Sequence, residues 1–430
     1  MTDRTAEMLL EILRASGADG WELSDTQEEG WEFYFIRHAL DQNRVKRVRH
    51  FDVRVYRSME DGRLLGSAGG EIQPTATREQ AEQAVAALLR NAAYVKNPAY
   101  TLNKPVDLPQ QALPTVDVQA IAADFLSAMR ELPETETEDV NSWELFVSSV
   151  RRRFVNSEGI DVTSVYPQSM AEVVVNARQQ GREIELYRLY HSGGCDREQL
   201  KADLGETLRI GRDKLLAGDT PALGQADVLF SGSDACSLYE WFAQRVNARL
   251  KVMGFSSCEV DQPVSEELSG DRVTLRVLPA LPNSSRNMAF DREGAPVEEA
   301  TLIEDGVVRR FVGDRQFSQY LGLERSFIPG NYAVIGGTAD EAELRAGDYL
   351  ELVEFSDFQV NPVTGDIAGE IRLAYWHHNG QCRPVSGGSV GGSLLQLLKT
   401  MRFSKAQRQY NNMLIPSLTR LYGVSVTGIS

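Results

Sequence analysis

The sequence predicts an α+β protein, a mixed N-terminal domain with long helices followed by a strand-rich C-terminal domain. Apolar residues recur at helical spacing in several stretches, mostly in the first half. Short runs rich in aromatic and β-branched residues alternate apolar with polar side chains, most densely after residue 270. Helices and strands do not alternate regularly, as a doubly wound parallel sheet would require. The 430 residues are 42% hydrophobic and 25% charged, ordinary values for a globular chain with a sizeable core. That length allows two or three domains.

In chain order, Met8, Leu9, Ile12 and Leu13 make an amphipathic helix over 3–16, stopped by Gly17. The runs 31–36 and 50–57 read as strands. Asp61-Gly62 marks a turn, and RLLGSAGG is the returning strand of a hairpin. Thr77 is placed as an N-cap for a helix whose face is Ala81, Ala84, Val85, Leu88 and Leu89. Four prolines at 98, 105, 109 and 114 predict an extended surface connector without packed structure.

A helix over 117–130 carries Val118, Ile121, Phe125, Leu126 and Met129. Strands are expected at 143–150, 152–156, 160–167 and 170–178, with Asn156–Gly159 as a turn. A long helix follows over 196–217. The turn residues from Gly218 to Gly224 predict the domain boundary, dividing the chain into 1–220 and 221–430.

The second part opens with a strand at 227–230 and a turn at Ser231–Asp234. The next helix has Asp234 as its N-cap and a stripe of Ala235, Leu238, Phe242, Val246 and Leu250. Strand-like runs follow in DRVTLRVL, EEATLIEDGVVRRFV and DYLELVEF. Ile371 to His378 alternate as a strand, and a helix at 393–401 comes after a glycine-rich bend.

The composition excludes several classes. A net charge of −16 repels phosphate backbones, so no nucleic-acid partner is expected. The basic run Arg44, Lys46, Arg47, Arg49 and the triple Arg151-Arg152-Arg153 read as solvated strand edges. Cys195, Cys236, Cys258 and Cys382 form no C-x-x-C pair and are expected as reduced, mostly buried thiols. The N-terminus, beginning Met1-Thr2-Asp3-Arg4, has charge and no apolar stretch, so no signal peptide is expected. No apolar run approaches the ~18 residues of a membrane span. A cytoplasmic protein without a membrane partner follows.

The chemistry is defined largely by what is missing. The histidines are His38, His50, His191, His377 and His378, and none is followed by glutamate. H-E-x-x-H and H-E-x-x-x-H, which put two imidazoles one helical turn apart around zinc, are therefore absent. P-loop, dinucleotide and G-x-S-x-G signatures are absent too. His377, His378 and Cys382 lie close together beside an Asn379-Gly380 turn, but adjacent strand residues point to opposite faces and no fourth ligand is near.

Several segments carry a family resemblance. AFDREGAPVEEATLIEDGVVRRFVGD, QVNPVTGDIAGEIRLAYWHHNGQCRPV and SGGSVGGSLLQLLKTM resemble the C-terminal domain of the TldD/PmbA family, once described as modulators of DNA gyrase. DGRLLGSA and RRRFVNSEGIDVTSVYPQSMAEVVV resemble its N-terminal region. TldD-like members carry H-E-x-x-x-H on the helix after the boundary. PmbA-like (TldE) members lack it and pair with a TldD-like subunit. Here that helix reads SDACSLYEWFAQRV, with Cys236 and Glu240 but no histidine.

The resemblance therefore implies a PmbA/TldE-like subunit of a TldD-type metallopeptidase complex acting on unfolded or extended peptides. It implies no catalytic residue, no metal ligand and no cofactor in this chain. Cys236, Glu240, His378 and Cys382 are candidates for a degenerate or peptide-binding site. The expected partner is a TldD-like subunit or a second copy. The alternatives are an independent hydrolase, with Cys236 as nucleophile, and a gyrase-type modulator without peptidase activity.

Overall fold

A computed structural model describes residues 4–107 and 112–429. The charged segment 1–3 and Pro109 of the connector lie outside the described residues. The N-terminal half is one antiparallel sheet. Its strands are β1 (Gly20–Ile36), β2 (Ala39–Met59), β3 (Leu64–Ile72), β4 (Asn97–Pro98), β5 (Glu138–Asn156), β6 (Asp161–Gln179) and β7 (Arg182–Ser192), in the spatial order β4-β3-β2-β1-β5-β6-β7. Helices α1 (Arg4–Ala15), α2 (Arg78–Ala92), α3 (Val118–Arg130) and α4 (Arg197–Leu216) accompany it.

Register decides which face the helices cover. Leu23 pairs with Val53 and Val155, Phe35 with Trp143, and Trp143 with Val173. Directly opposed residues share a face, so these side chains form one continuous apolar surface. Under α1 and α2 it holds Leu9, Leu10 and Leu13 with Phe51, Val53 and Val55. Under α3 and α4 it holds Phe125, Met129, Leu204 and Leu208 with Leu145, Ala171 and Val173. The rings of Phe35 and Trp143 stack at 3.9 Å. All four helices thus lie on the same side of the sheet, and α2 opens with the expected Thr77 cap, completed as a capping box by Gln80.

The strands run longer than the apolar patches that announced them. The four runs expected between 143 and 178 are two continuous strands, β5 and β6, joined at Asn156–Gly159. In β2, Lys46, Arg47 and Arg49 face Glu28, Glu29 and Asp25 of β1 at 2.9, 3.2 and 2.6 Å. β3 pairs with β2 only from Phe51 onward, so 39–50 is a charged sheet edge, as expected. The triple Arg151–Arg153 is a correction, because β5 is an interior strand. Arg152 donates to Ser24 Oγ and the Arg292 carbonyl, while Arg153 pairs with Glu7 and Asp161. The connector also packs more than expected. Leu102 is buried, and the Tyr100 ring sits edge-on to both Tyr56 and Tyr320.

The C-terminal half contains β8 (Gly218–Asp219), β9 (Gly224–Phe230), α5 (Ala235–Arg245), α6 (Ala248–Val252), β10 (Thr274–Leu278), β11 (Ala300–Glu304), β12 (Val307–Val308), α7 (Arg315–Tyr320), β13 (Asn331–Ile335), α8 (Glu341–Leu344), β14 (Tyr349–Val360), β15 (Asp366–His378), β16 (Gln381–Ser386), β17 (Ser389–Ser393), α9 (Leu394–Leu397), β18 (Arg402–Phe403), β19 (Gln407–Tyr410), β20 (Met413–Pro416) and β21 (Thr419–Thr427). One sheet runs β12-β11-β10-β13-β20-β19. The other runs β14-β9-β21-β17-β15-β16-β8, and β14 also pairs with β15. Strands β14, β9, β21, β17 and β15 therefore close into a ring. Helix α5 packs against β14 of one sheet and β20 of the other, within a single large core.

Two helices differ from expectation. The apolar stripe expected to run from Ala235 through Leu250 stops at Val246, where the backbone leaves the helix to pair with Val312. The Val312 amide donates to the Val246 carbonyl, and the Ala248 amide to the Val312 carbonyl. Leu250 belongs to the separate α6 and is only half-buried. The helix expected at 393–401 is the single turn α9. The glycine-rich stretch before it is the strand β17, entered through Gly387 and Gly388 at φ 86° and 76°.

Candidate functional site

A cleft of about 800 Å3 opens between the two halves. Its N-terminal wall is β7 and the side of α4. Its C-terminal wall is the start of α5, the middle of β14 and the β19–β20 hairpin. Six consecutive residues of β7, Tyr187–Ser192, line it. Successive side chains of a strand point to opposite faces, so consecutive lining means that the strand meets the cleft with its edge. β7 is the last strand of its sheet, and that edge has no neighbouring strand.

Two arginines cross the cleft in opposite senses. Arg188 of β7 pairs with Glu354 of β14, Nη1 to Oε1 at 2.9 Å. Arg408 of β19 reaches Asp203 and Glu206 of α4 at 2.6 and 3.0 Å. The Gly193 amide donates to the Asn283 carbonyl at 2.7 Å, tying the end of β7 to the C-terminal half.

Cys236 and Glu240, one turn apart on α5, both line the cleft. The opposite face of α5 is tightly held: Leu238, Tyr239, Trp241 and Phe242 are buried. Tyr239 shares a hydrogen bond with Thr419 at 2.7 Å. Asp234 also lines the cleft but makes no side-chain cap bond, and its backbone is already helical at φ −60° and ψ −24°, which corrects its expected N-cap role. Burial, and then the nearby Glu354 carboxylate, push the Asp234 carboxyl up to about 6. Burial also raises the Glu240 carboxyl.

The Cys236 thiol is pushed up to about 12 by burial and then by the carboxylates of Glu240 and Asp234. A nucleophilic cysteine needs the reverse, a cationic setting that favours the thiolate. His191 lines the same cleft, yet among the described residues no hydrogen bond joins it to Cys236. The geometry gives the nucleophile reading no support.

The other two candidates lie elsewhere. His378 and Cys382 sit at the β15–β16 hairpin and do not line the cleft. As the alternation requires, the two histidines separate. His377 faces Cys382 directly across the strands, Nε2 to Sγ at 3.5 Å, and stacks on Tyr349. His378 stacks on Trp376 and bonds Asp348 at 2.7 Å. Among the described residues, no group of three or more His, Cys, Asp or Glu side chains is placed to hold a metal ion. Of the four free thiols only Cys258 is buried; Cys195 and Cys236 are half-buried and Cys382 is exposed, which corrects the expectation of mostly buried cysteines.

Sequence reasoning missed most of the cleft wall. β7 was not expected at all, although Gln180-Gly181, both at positive φ, marks the turn that begins it. The residues 408–413 of the β19–β20 hairpin carried no motif.

The same architecture occurs in solved structures. It superposes on TldE from Thermococcus kodakarensis with a TM-score of 0.76 at 15% identity, covering 98% of this chain and 100% of that one. It superposes on a Thermotoga maritima protein, described as a candidate modulator of a DNA gyrase, with a TM-score of 0.76 at 17% identity, covering 99% and 100%. These likenesses define the fold class. Residues 223–428 match the family described as the PmbA/TldA metallopeptidase C-terminal domain. The C-terminal part of the chain thus carries a PmbA/TldD-family domain, and the whole chain has the fold of the family's solved members.

Curated relatives are more distant. A protein of Archaeoglobus fulgidus named a metalloprotease is 23% identical over 211 residues, 45% of this chain and 48% of that protein. An uncharacterized protein of Methanocaldococcus jannaschii is 23% identical over 171 residues, 36% of this chain and 40% of that protein. The chain thus spans less than half the length of the curated relatives it matches. Among the described residues no helix is long and apolar enough to cross a membrane.

Proposed function

We propose that this chain is a non-catalytic, TldE-like subunit that pairs with a TldD-type metallopeptidase and helps hold an unfolded or extended peptide. The observation that carries the reading is helix α5. By the family resemblance it corresponds to the helix that bears H-E-x-x-x-H in TldD-like members, and it turns Cys236 and Glu240 toward an open cleft with no imidazole between them. One thiol and one carboxylate are too few for a tetrahedral zinc site. The unpaired edge of β7 supports the peptide half of the reading, because main-chain hydrogen bonds bind an extended segment without reading its side chains. The division at about residue 220 and work in the cytoplasm belong to the same proposal.

The test is reconstitution. The purified chain, a TldD-type protein from the same organism, and their mixture are each given an unfolded protein substrate, with light scattering to follow assembly. Chelator-sensitive cleavage is expected in the mixture, together with a heteromeric species. Chelator-sensitive cleavage by this chain alone overturns the proposal, as does a mixture that neither associates nor changes in activity.

A further inference from the structure

The cleft has a charge pattern that the peptide reading leaves unused. Six carboxylates line it, those of Asp196, Asp203, Glu206, Asp234, Glu240 and Glu354, against the guanidiniums of Arg188 and Arg408. Both arginines are already committed to Glu354 and to Asp203 and Glu206. Among the described residues no cation pairs with Asp196, Asp234 or Glu240. These three come from two elements, Asp196 at the start of α4, Asp234 at the start of α5 and Glu240 midway along α5, and all open onto the same space as the β7 edge.

We infer that the cleft takes an extended peptide carrying lysine or arginine side chains, added as a further strand along the free edge of β7. The inference rests on the peptide-binding reading above and adds the chemistry of the occupant.

Three features converge on it. The lined stretch of β7 is six residues, about 20 Å of strand at roughly 3.3 Å per residue, long enough to register a short segment. Alternate side chains of an added strand fall on the side of the sheet that carries α4. There Arg188 and Tyr190 already point, since they share the face of Leu186, which packs with α4 in the core. Finally, Asp234 and Glu240 form no salt bridge among the described residues, and burial raises both carboxyls. A basic side chain supplies the missing charge, while an acidic one adds to the repulsion. Tyr187 and Leu189, exposed on the opposite face of β7, offer apolar contact to the intervening residues and leave them unspecified.

The experiment uses the full chain and three fluorescein-labelled hexapeptides of alternating sequence, Lys-Thr, Gln-Thr and Glu-Thr, read by anisotropy at low and high salt. The Lys-Thr peptide is expected to bind roughly tenfold or more tightly than Gln-Thr, in line with the strength of charge-assisted contacts. The advantage shrinks as salt rises, and Glu-Thr binds weakest. In the Asp234→Asn, Glu240→Gln double variant the ratio of Lys-Thr to Gln-Thr affinity falls toward one. Equal binding of Lys-Thr and Gln-Thr to the unmodified chain overturns the charge inference and leaves the peptide cleft standing. No binding of any peptide, by the chain alone or mixed with the TldD-type protein, overturns both. Because the first comparison needs no variant, a double variant that fails to fold does not spare the inference.

Discussion

Arg408 and Asp203 join the two halves of the chain: the guanidinium of β19 lies 2.6 Å from a carboxylate of α4, and Glu206 one turn further on holds it at 3.0 Å. Burial raises the Asp203 carboxyl, and Arg408 opposes that rise. Removing the arginine alone leaves Asp203 with only the Gln199 amide and Glu206 with only the more distant Arg209, at 2.8 and 3.9 Å. Arg408→Ala is expected to cost about 1–3 kcal/mol. Adding Asp203→Asn should recover part of it, because the stranded charge is gone. Urea unfolding of the two single variants and the double variant measures the coupling, and simple additivity would mean the pair contributes nothing.

Asp234 predicts a pH dependence. Its folded-state carboxyl is near 6, against about 3.9 in an unfolded chain. Between those values the native protein holds more protons than the unfolded one, so this group's contribution is fully present below about pH 4 and is lost as pH rises through 6. Asp234→Asn should therefore stabilise the protein at pH 7 to 8 by on the order of 1–2 kcal/mol and make little difference at pH 4. Melting temperatures across that range decide it. An offset that is the same at every pH would trace the effect to something other than ionisation.

The faces of α5 should respond differently. Phe242 is 4% exposed and edge-on to Trp241, and Phe242→Ala is expected to destabilise by roughly 3–5 kcal/mol. Cys236→Ser and Glu240→Gln, which face the cleft, should cost little. Thermal melts of the three variants test this, and a protein unfolded by Glu240→Gln would make that carboxylate structural.

Purified protein is expected to contain no stoichiometric zinc, by elemental analysis. If zinc is found, His377 and Cys382 are the pair to change first, since His378 turns away to Asp348. Metal lost on those substitutions would establish a site on the β15–β16 hairpin that neither the spacing nor the geometry supports.

How much of this was legible in the sequence depended on whether the signal was local. Helical spacing located α1, α2, α3 and α4, and the Asn379-Gly380 pair located the β15–β16 turn, because caps and turns are written in neighbouring residues. Helix phase also put Cys236 and Glu240 off the packing stripe, where they do line the cleft. β7 escaped because Leu186, Tyr187, Leu189 and Tyr190 place large residues on both parities, blurring the period of two. The end of α5 escaped because Val246 is taken out of the helix by Val312, far along the chain. The cleft escaped for the same reason: its wall is assembled from β7, α4, β14 and β19, which only the tertiary fold brings together.

The pairing of β1 with β5 bears on how the chain acquires this structure. Glu22 aligns with Asn156, and the partners come together only after the intervening α1-side hairpin, the connector and α3 have been made. During synthesis α1, β1, β2, β3 and α2 can assemble first through local contacts, leaving one side of β1 bare with Trp31, Phe33 and Phe35 in it. Closing so long a loop is slow, and an open strand rich in aromatic residues invites misassociation. Glu28, Glu29 and Glu32 interrupt that aromatic segment with charge, a pattern that limits strand association, although β2 pairs them with Lys46, Arg47 and Arg44. A nascent chain stopped before residue 138 therefore exposes an adhesive edge that the finished protein conceals in the middle of its sheet.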